Sequence, residues 1–221
     1  LFMSQHPTFE QSDLSKVKTF GIGGAPTPRE MINTYAKRNI GLQQVFGMTE
    51  TSPLVSALTA ENAMLKIGSA GLPVLHNQVK IMTENGEYVS TPETVGELWV
   101  KGPNITPGYW NKPEVNATAF TDGWLHTGDA AYLDAEGFIY IVDRWKDMYI
   151  SGGENVYPAE IENVIYQLPQ VGEVAVIGVN DERWGEVGQA IIVVKLEHSL
   201  DEATVLKHCA DNLAKFKQPQ S

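Results

Sequence analysis

Several short segments of this chain carry side chains whose types and spacing could do chemistry. Phe46-Gly47-Met48-Thr49-Glu50 sets a flat apolar ring, a permissive glycine, a hydroxyl and a carboxylate side by side. That set suits a nucleotide such as ATP: the ring packs on a base, the hydroxyl meets a phosphate, and the carboxylate holds a hard cation such as Mg²⁺. A solvated loop with an N-cap threonine would have the same composition. Trp124-Leu125-His126-Thr127-Gly128-Asp129 joins a rigid aromatic anchor to an aspartate after a glycine. A carboxylate there can accept from vicinal ribose hydroxyls, and a plain turn aspartate is the alternative. His126 reads as a neighbour of such a site or a structural residue rather than a base.

Asp143-Arg144-Trp145-Lys146-Asp147 packs four charges into five residues. It is either a solvated surface turn or a joint at which Arg144 contacts a nucleotide and Lys146 sits at a pivot. Tyr149-Ile150-Ser151-Gly152-Gly153-Glu154-Asn155 follows at once. Its paired glycines allow backbone to approach an extended ligand where any Cβ would clash. Gly23-Gly24-Ala25-Pro26 offers the same freedom to a flat ligand, or forms an ordinary strand-to-helix turn. The five histidines and the single cysteine show no zinc spacing. Neither a Gly-x-Ser-x-Gly elbow nor a Gly-x-x-x-x-Gly-Lys-Ser/Thr phosphate loop occurs.

The elements that must position these residues follow from hydrophobic period and turn chemistry. Residues 17–22 read as a strand running into the first glycine pair. Thr27-Pro28-Arg29-Glu30 reads as a capping box with proline at the first helical position. The helix presents Met31, Ile32, Tyr35 and Ala36 on one face and should stop near Gly41. Residues 42–46 form a short strand ending at the Phe-Gly-Met-Thr-Glu loop, so two strand ends meet at one crevice, as in open α/β sheets. From about Lys66 to Arg144 the period shortens to strands over 78–82, 96–101 and 138–142, with turns at Asn85-Gly86 and Glu136-Gly137. After Arg144 a new pattern starts. Pro158 opens a helix with Ile161, Val164, Ile165 and Leu168 on one face. Strands over 173–179 and 189–196 follow. Ser199-Leu200-Asp201-Glu202 then caps a last helix with Val205, Leu206, Cys209 and Leu213 inward. The change of pattern near residues 143–146, with no Gly/Ser tether, predicts a defined hinge.

Composition sets the class. The chain has 221 residues, 43% hydrophobic and 19% charged, enough for a packed core and too few charges for a disordered chain. A net charge of -11 argues against nucleic acid or an anionic membrane as partner. A small phosphate site remains possible, because local amides and a metal ion can serve it. The lone Cys209 cannot form an internal disulfide and points to a reducing, cytoplasmic compartment. No apolar run reaches the ~18 residues of a transmembrane span.

Taken together and in this order, the motifs resemble those of the AMP-forming acyl-CoA synthetases, within the adenylate-forming superfamily. The resemblance runs from about Phe20 to Pro219. It implies a mixed α/β and α+β fold. Residues 1–143 would be the end of a large adenylate-forming N-terminal domain with a small β-barrel subdomain. Residues 144–221 would be a small, mobile α+β C-terminal domain. The implied reaction joins a carboxylate to the α-phosphate of ATP, releasing pyrophosphate, and then transfers the acyl group from AMP to the CoA thiol. The implied acid is a fatty acid, with an aromatic acid as a near alternative.

Residue by residue, the resemblance implies that Gly23, Gly24, Ala25 and Pro26 line the adenine and acyl pocket. Phe46 packs on adenine beside Gly47 and Met48. Thr49 contacts phosphate, Glu50 binds Mg²⁺, Asp129 holds the ribose and Arg144 assists. Lys146 is the pivot; Ser151, Gly152 and Gly153 border the pantetheine tunnel; Trp184 contacts the CoA nucleotide. Phe46 stands where tyrosine is commonest in that family. The family's phosphate loop would lie upstream of Leu1 and its late catalytic lysine beyond Ser221, so Lys215 and Lys217 are not promoted to that role. The chain by itself is therefore expected not to adenylate. Two other readings stand beside this one: an adenylating module that loads a carrier protein, and a non-catalytic nucleotide-binding fragment.

Overall fold

The computed structural model describes residues 3–4, 6–25 and 27–221, so Pro26, one of the expected pocket residues, lies outside them. The chain divides into two compact units, Leu1–Ile141 and Val142–Ser221. The described elements are mixed α and β.

In the larger unit, β1 (Phe20–Ile22), α1 (Arg29–Ala36), β2 (Leu42–Phe46), β3 (Ser56–Ala57) and β4 (Leu72–Pro73) come first. β1 and β2 are parallel, with Ile22 opposite Gln44; β3 and β4 add antiparallel, in the order β1-β2-β3-β4. β1 is shorter than the expected strand and starts at Phe20. The capping box at Thr27 is not formed: Pro28 occupies the N-cap and no side chain caps the first turn. The helix stops at Ala36, before Gly41, because Asn39 takes a left-handed φ of 57° and turns the chain back. Its inward face is as expected, Ile32 and Tyr35 packing with Phe9 and Leu42.

The next elements are β5 (Gln78–Met82), β6 (Gly96–Lys101), α2 (Pro113–Ala119), β7 (Phe120–Thr121), β8 (Trp124–Leu133) and β9 (Ile139–Arg144). They form a curled antiparallel sheet in the order β5-β6-β8-β7, with β9 on β8. Alternate residues point inward, so Ile81, Leu98, Val100, Leu125 and Ile139 make a core with Val55. The ten-residue β8 lies where no strand was expected and carries Thr127, Gly128 and Asp129 within it.

The smaller unit contains β10 (Tyr149–Ser151), β11 (Glu154–Val156), α3 (Pro158–Ile165), β12 (Val171–Asp181), β13 (Gly185–Val194) and α4 (Glu202–Asn212). Its sheet runs β11-β10-β13-β12, and the β12–β13 hairpin is longer than its hydrophobic runs predicted. Ile161, Ile165, Val176, Val205 and Cys209 form the core. α3 ends at Ile165, so Leu168 reaches that core from the turn beyond it. The α4 N-cap is Asp201, whose carboxylate accepts from Thr204 N–H at 2.7 Å; Ser199 does not cap it. Among the described residues no helix is long and apolar enough to cross a membrane.

Candidate functional site

In the larger unit the carboxyl ends of β1 and β2 lie side by side, which brings the first glycine pair next to the Phe46–Glu50 segment. A Cβ on Gly23 would sit 2.6 Å from Val45 Cγ2 and 2.7 Å from its carbonyl oxygen, so Gly23 is required by the packing of β1 on β2. Gly24 has φ of +88° and open space around it. Phe46 and Met48 are half-buried and pack partly against the sheet core. A Cβ on Gly47 would fall 1.7 Å from the Pro53 carbonyl oxygen. The chain therefore folds tightly back on itself there.

The Thr49–Thr51 turn is a single 3₁₀ turn held from several sides. The fully buried Thr51 hydroxyl accepts from Met48 N–H at 3.0 Å and lies 2.9 Å from the carbonyls of Met48 and Pro53. Asn104 Nδ2 donates to Thr51 O at 2.5 Å and to Leu54 O at 2.9 Å. Asn77 Nδ2 donates to Leu54 O at 3.0 Å. Thr106 N–H donates to Glu50 O at 2.8 Å, and the Tyr109 hydroxyl donates to Glu50 Oε1 at 2.8 Å. Burial first, and then the bond to the Glu50 carboxylate, pushes the Tyr109 phenol up from its ordinary range. None of Asn77, Asn104 and Tyr109 was flagged by the sequence, because the contact between Tyr109 and Glu50 joins residues 59 positions apart.

Asp129 sits in an irregular stretch of β8. Across the ladder, β6 moves from Glu97 to Trp99 while β8 moves from Ala130 to His126, so β8 carries the excess residues as a bulge containing Thr127, Gly128 and Asp129. Side chains hold the bulge open. Thr127 Oγ1 donates to Leu98 O at 2.7 Å and accepts from Asp129 N–H at 3.1 Å. Glu97 Oε1 accepts from Gly128 N–H at 3.1 Å, while its Oε2 accepts from Trp99 Nε1 at 2.7 Å. Gly128 has φ of +71°, which a bulge turn of this kind favours in glycine. Trp99 stacks on His126 with centroids 3.7 Å apart. Burial lowers the His126 pKa although Glu97 opposes it. His126 is thus a packed ring of the sheet.

The smaller unit holds the remaining candidates. Arg144 and Lys146 are exposed. Asp143, in the same charged run, is structural: its Oδ2 accepts from Ala159 N–H at 2.8 Å, in the first turn of α3, and its Oδ1 from Arg144 N–H at 2.7 Å. Burial raises its pKa more than those bonds lower it. Gly152 and Gly153 form the two-residue turn between β10 and β11, with φ of 61° and 89°. Paired left-handed residues match the twist of a tight hairpin. Trp184 lies against this turn. Its carbonyl accepts from Gly152 N–H at 2.8 Å, and a Cβ on Gly152 would meet the indole at 2.9 Å. Ser151, Gly152, Gly153 and Trp184 are therefore one cluster, with the Arg183 guanidinium 5.0 Å over the indole.

Among the described residues no three His, Cys, Asp or Glu side chains gather as a metal-ligand set. Glu50 is a single carboxylate with one oxygen committed to Tyr109. One carboxylate oxygen joined by substrate phosphates and water is a common way to hold Mg²⁺, so the residue present fits that ion.

Comparison with known proteins places this geometry in context. The family model described as AMP-binding enzyme matches residues 1–110, and that of the AMP-binding enzyme C-terminal domain matches residues 160–221. A feruloyl-CoA synthase from Amycolatopsis sp is 44% identical over 219 residues, covering 99% of this chain and 44% of that protein. A 2-succinylbenzoate–CoA ligase from Bacillus mycoides is 43% identical, covering 93% of this chain and 42% of that protein. Among solved structures, the o-succinylbenzoate CoA synthetase of Bacillus subtilis with its acyl-adenylate superposes with a TM-score of 0.86 at 39% identity, over 92% of this chain and 41% of that one. A Mycobacterium tuberculosis fatty acyl CoA synthetase is 42% identical with a TM-score of 0.62, over 100% of this chain and 43% of that one. The chain spans less than half the length of the curated relatives it matches.

Proposed function

Because this chain belongs to the AMP-binding enzyme family, we propose that it works within an AMP-forming carboxylate–CoA ligase. The observation that carries the reading is the juxtaposition of Gly23-Gly24 with Phe46–Glu50 at the carboxyl ends of adjacent parallel strands, where open α/β sheets bind ligands. The protein containing this chain activates a carboxylic acid to an acyl-AMP and then forms its CoA thioester.

The roles divide between the units. In the larger one Gly23, Gly24 and Ala25, with Pro26 by sequence position alone, line the adenine and acyl pocket. Phe46 supplies a ring edge for the base beside Gly47 and Met48, and the exposed Thr49 hydroxyl meets phosphate. Glu50 holds Mg²⁺, which when bound neutralises charge on the phosphate oxygens. Asp129 accepts from the ribose hydroxyls. In the smaller one Arg144 assists at the nucleotide, Lys146 is the pivot between the two half-reactions, and Ser151, Gly152, Gly153 and Trp184 face the CoA arm. The Gly152 backbone lies close to Trp184, an approach that a Cβ at that position would block.

For the acid, a fatty acid is the simplest choice from the sequence, and the 42% identical fatty acyl CoA synthetase supports it. The feruloyl and 2-succinylbenzoate relatives favour an aryl-bearing acid. The test is ATP–pyrophosphate exchange by the full-length protein over a panel of both classes, followed by thioester formation with CoA. Exchange that proceeds to an acyl-CoA supports the ligase and names its acid. Exchange without thioester moves the reading to carrier loading. No exchange with any acid sinks it.

A further inference from the structure

Glu50 is the one carboxylate proposed to hold the cation, yet it lies in a short turn, half-buried, with nothing in its own segment to orient its side chain. What orients it comes from the loop before α2. Thr106 N–H holds the Glu50 carbonyl and the Tyr109 hydroxyl holds Glu50 Oε1, each at 2.8 Å. Tyr109 is itself fixed. Asn116, on α2, accepts from Tyr109 N–H through Oδ1 at 2.7 Å and donates to Tyr109 O through Nδ2 at 3.0 Å. One amide thus grips both polar groups of the Tyr109 peptide. Gly108, with φ of +145°, lets Asn116 come this close, since a Cβ there would sit about 3.0 Å from the Asn116 amide. The outcome is a relay from helix to carboxylate: Asn116 fixes the Tyr109 backbone and Tyr109 fixes one oxygen of Glu50.

We infer that Tyr109, anchored by Asn116, is a positioning residue that holds Glu50 as a one-oxygen ligand for the divalent cation of the nucleotide. The inference rests on the proposed role of Glu50. The chemistry favours the arrangement. Mg²⁺ demands near-octahedral geometry at short distance and keeps several waters, so a carboxylate that presents a single oriented oxygen suits it better than a freely rotating one. Hydrogen bonds to ligating carboxylates set their orientation, and losing such an outer partner commonly costs 10–100-fold in metal affinity. A neutral phenol suits the task because it donates to the carboxylate without adding charge.

The experiment uses the full-length protein and two readouts. Mn²⁺ binding is followed by electron paramagnetic resonance with a non-hydrolysable ATP analogue, and the Mg²⁺ dependence of exchange is measured beside the KM for the acid. Y109F, which removes only the hydroxyl, is expected to weaken Mn²⁺ binding and raise the Mg²⁺ midpoint by about tenfold while leaving the KM for the acid unchanged. N116A should shift both in the same direction by about threefold, since it loosens the phenol without deleting it. E50Q separates the two claims. If E50Q binds Mn²⁺ as the parent does, the reading of Glu50 fails first. If E50Q weakens binding and Y109F binds as tightly as the parent or tighter, the Tyr109 inference alone is overturned. The double variant should be no weaker than E50Q; an additive loss would also overturn it, because Tyr109 would then be acting elsewhere.

Discussion

The Phe46–Glu50 segment and the Ser151–Glu154 turn both place glycine beside chemically useful residues, but they are held in different ways. The turn is local. Two left-handed glycines close a hairpin whose strands pair residue by residue, and one distant group, Trp184, packs on it. Beyond Phe46, which pairs with Ser56 on β3, the Phe46–Glu50 segment has no regular strand partner. Its shape is imposed by Asn77, Asn104, Thr106 and Tyr109, which arrive from the turn before β5 and the loop between β6 and α2. A site that must present a charged ligand needs orientation in three dimensions, and a short loop cannot supply that from its own backbone. A site that only needs backbone to stay thin can be built from a turn.

The difference predicts unequal responses to substitution. The largest effect should come from G47A. Its Cβ would overlap the Pro53 carbonyl, a backbone atom that cannot step aside, so the larger unit should lose about 3 kcal/mol, measured by urea denaturation. N104A removes two side-chain bonds to the Thr51 and Leu54 carbonyls. It should cost about 2 kcal/mol, with faster hydrogen exchange around Thr51 and no change in the smaller unit. G153A should cost only about 1 kcal/mol, the strain of a left-handed alanine, because nothing lies within 4 Å of its Cβ. G153N should cost less still, since asparagine tolerates that conformation. Equal losses from G153A and G47A would break the comparison.

A pH dependence, absent near neutral pH, reports on the smaller unit. Cys209 is 1% exposed, and burial pushes its thiol from 9.0 up to about 11. The folded state therefore favours the protonated form. That contribution is complete below pH 9 and is lost as pH rises through about 11. C209A should flatten the fall in stability across that window, leaving the fall above pH 10 due to Tyr149, which burial raises to about 12, and to Tyr157, which burial also raises. At pH 8 the native thiol should alkylate only as fast as the smaller unit opens. Labelling of Cys209 therefore offers a check that G47A and N104A leave that unit intact.

The sequence by itself determined the elements whose signal is local. Strand β2, the inward face of α1 and the helix begun by Pro158 follow from period and proline within a few residues, whereas the hairpin closed by Gly152-Gly153 was not read from its glycines. The motif order also marked Phe46, Thr49, Glu50, Asp129, Ser151 and Trp184 before any coordinates. Only the tertiary structure decided how those residues are held. The bulge that carries Asp129 depends on Glu97 and Leu98 from the neighbouring strand. The orientation of Glu50 depends on Tyr109, far along the chain, and through it on Asn116. The true cap of α4 was Asp201 rather than Ser199, a choice between polar residues two positions apart that backbone geometry makes. Local preference selects turns and periods within a few residues; a hydrogen bond between distant segments leaves no period to read and exists only once the sheet has closed.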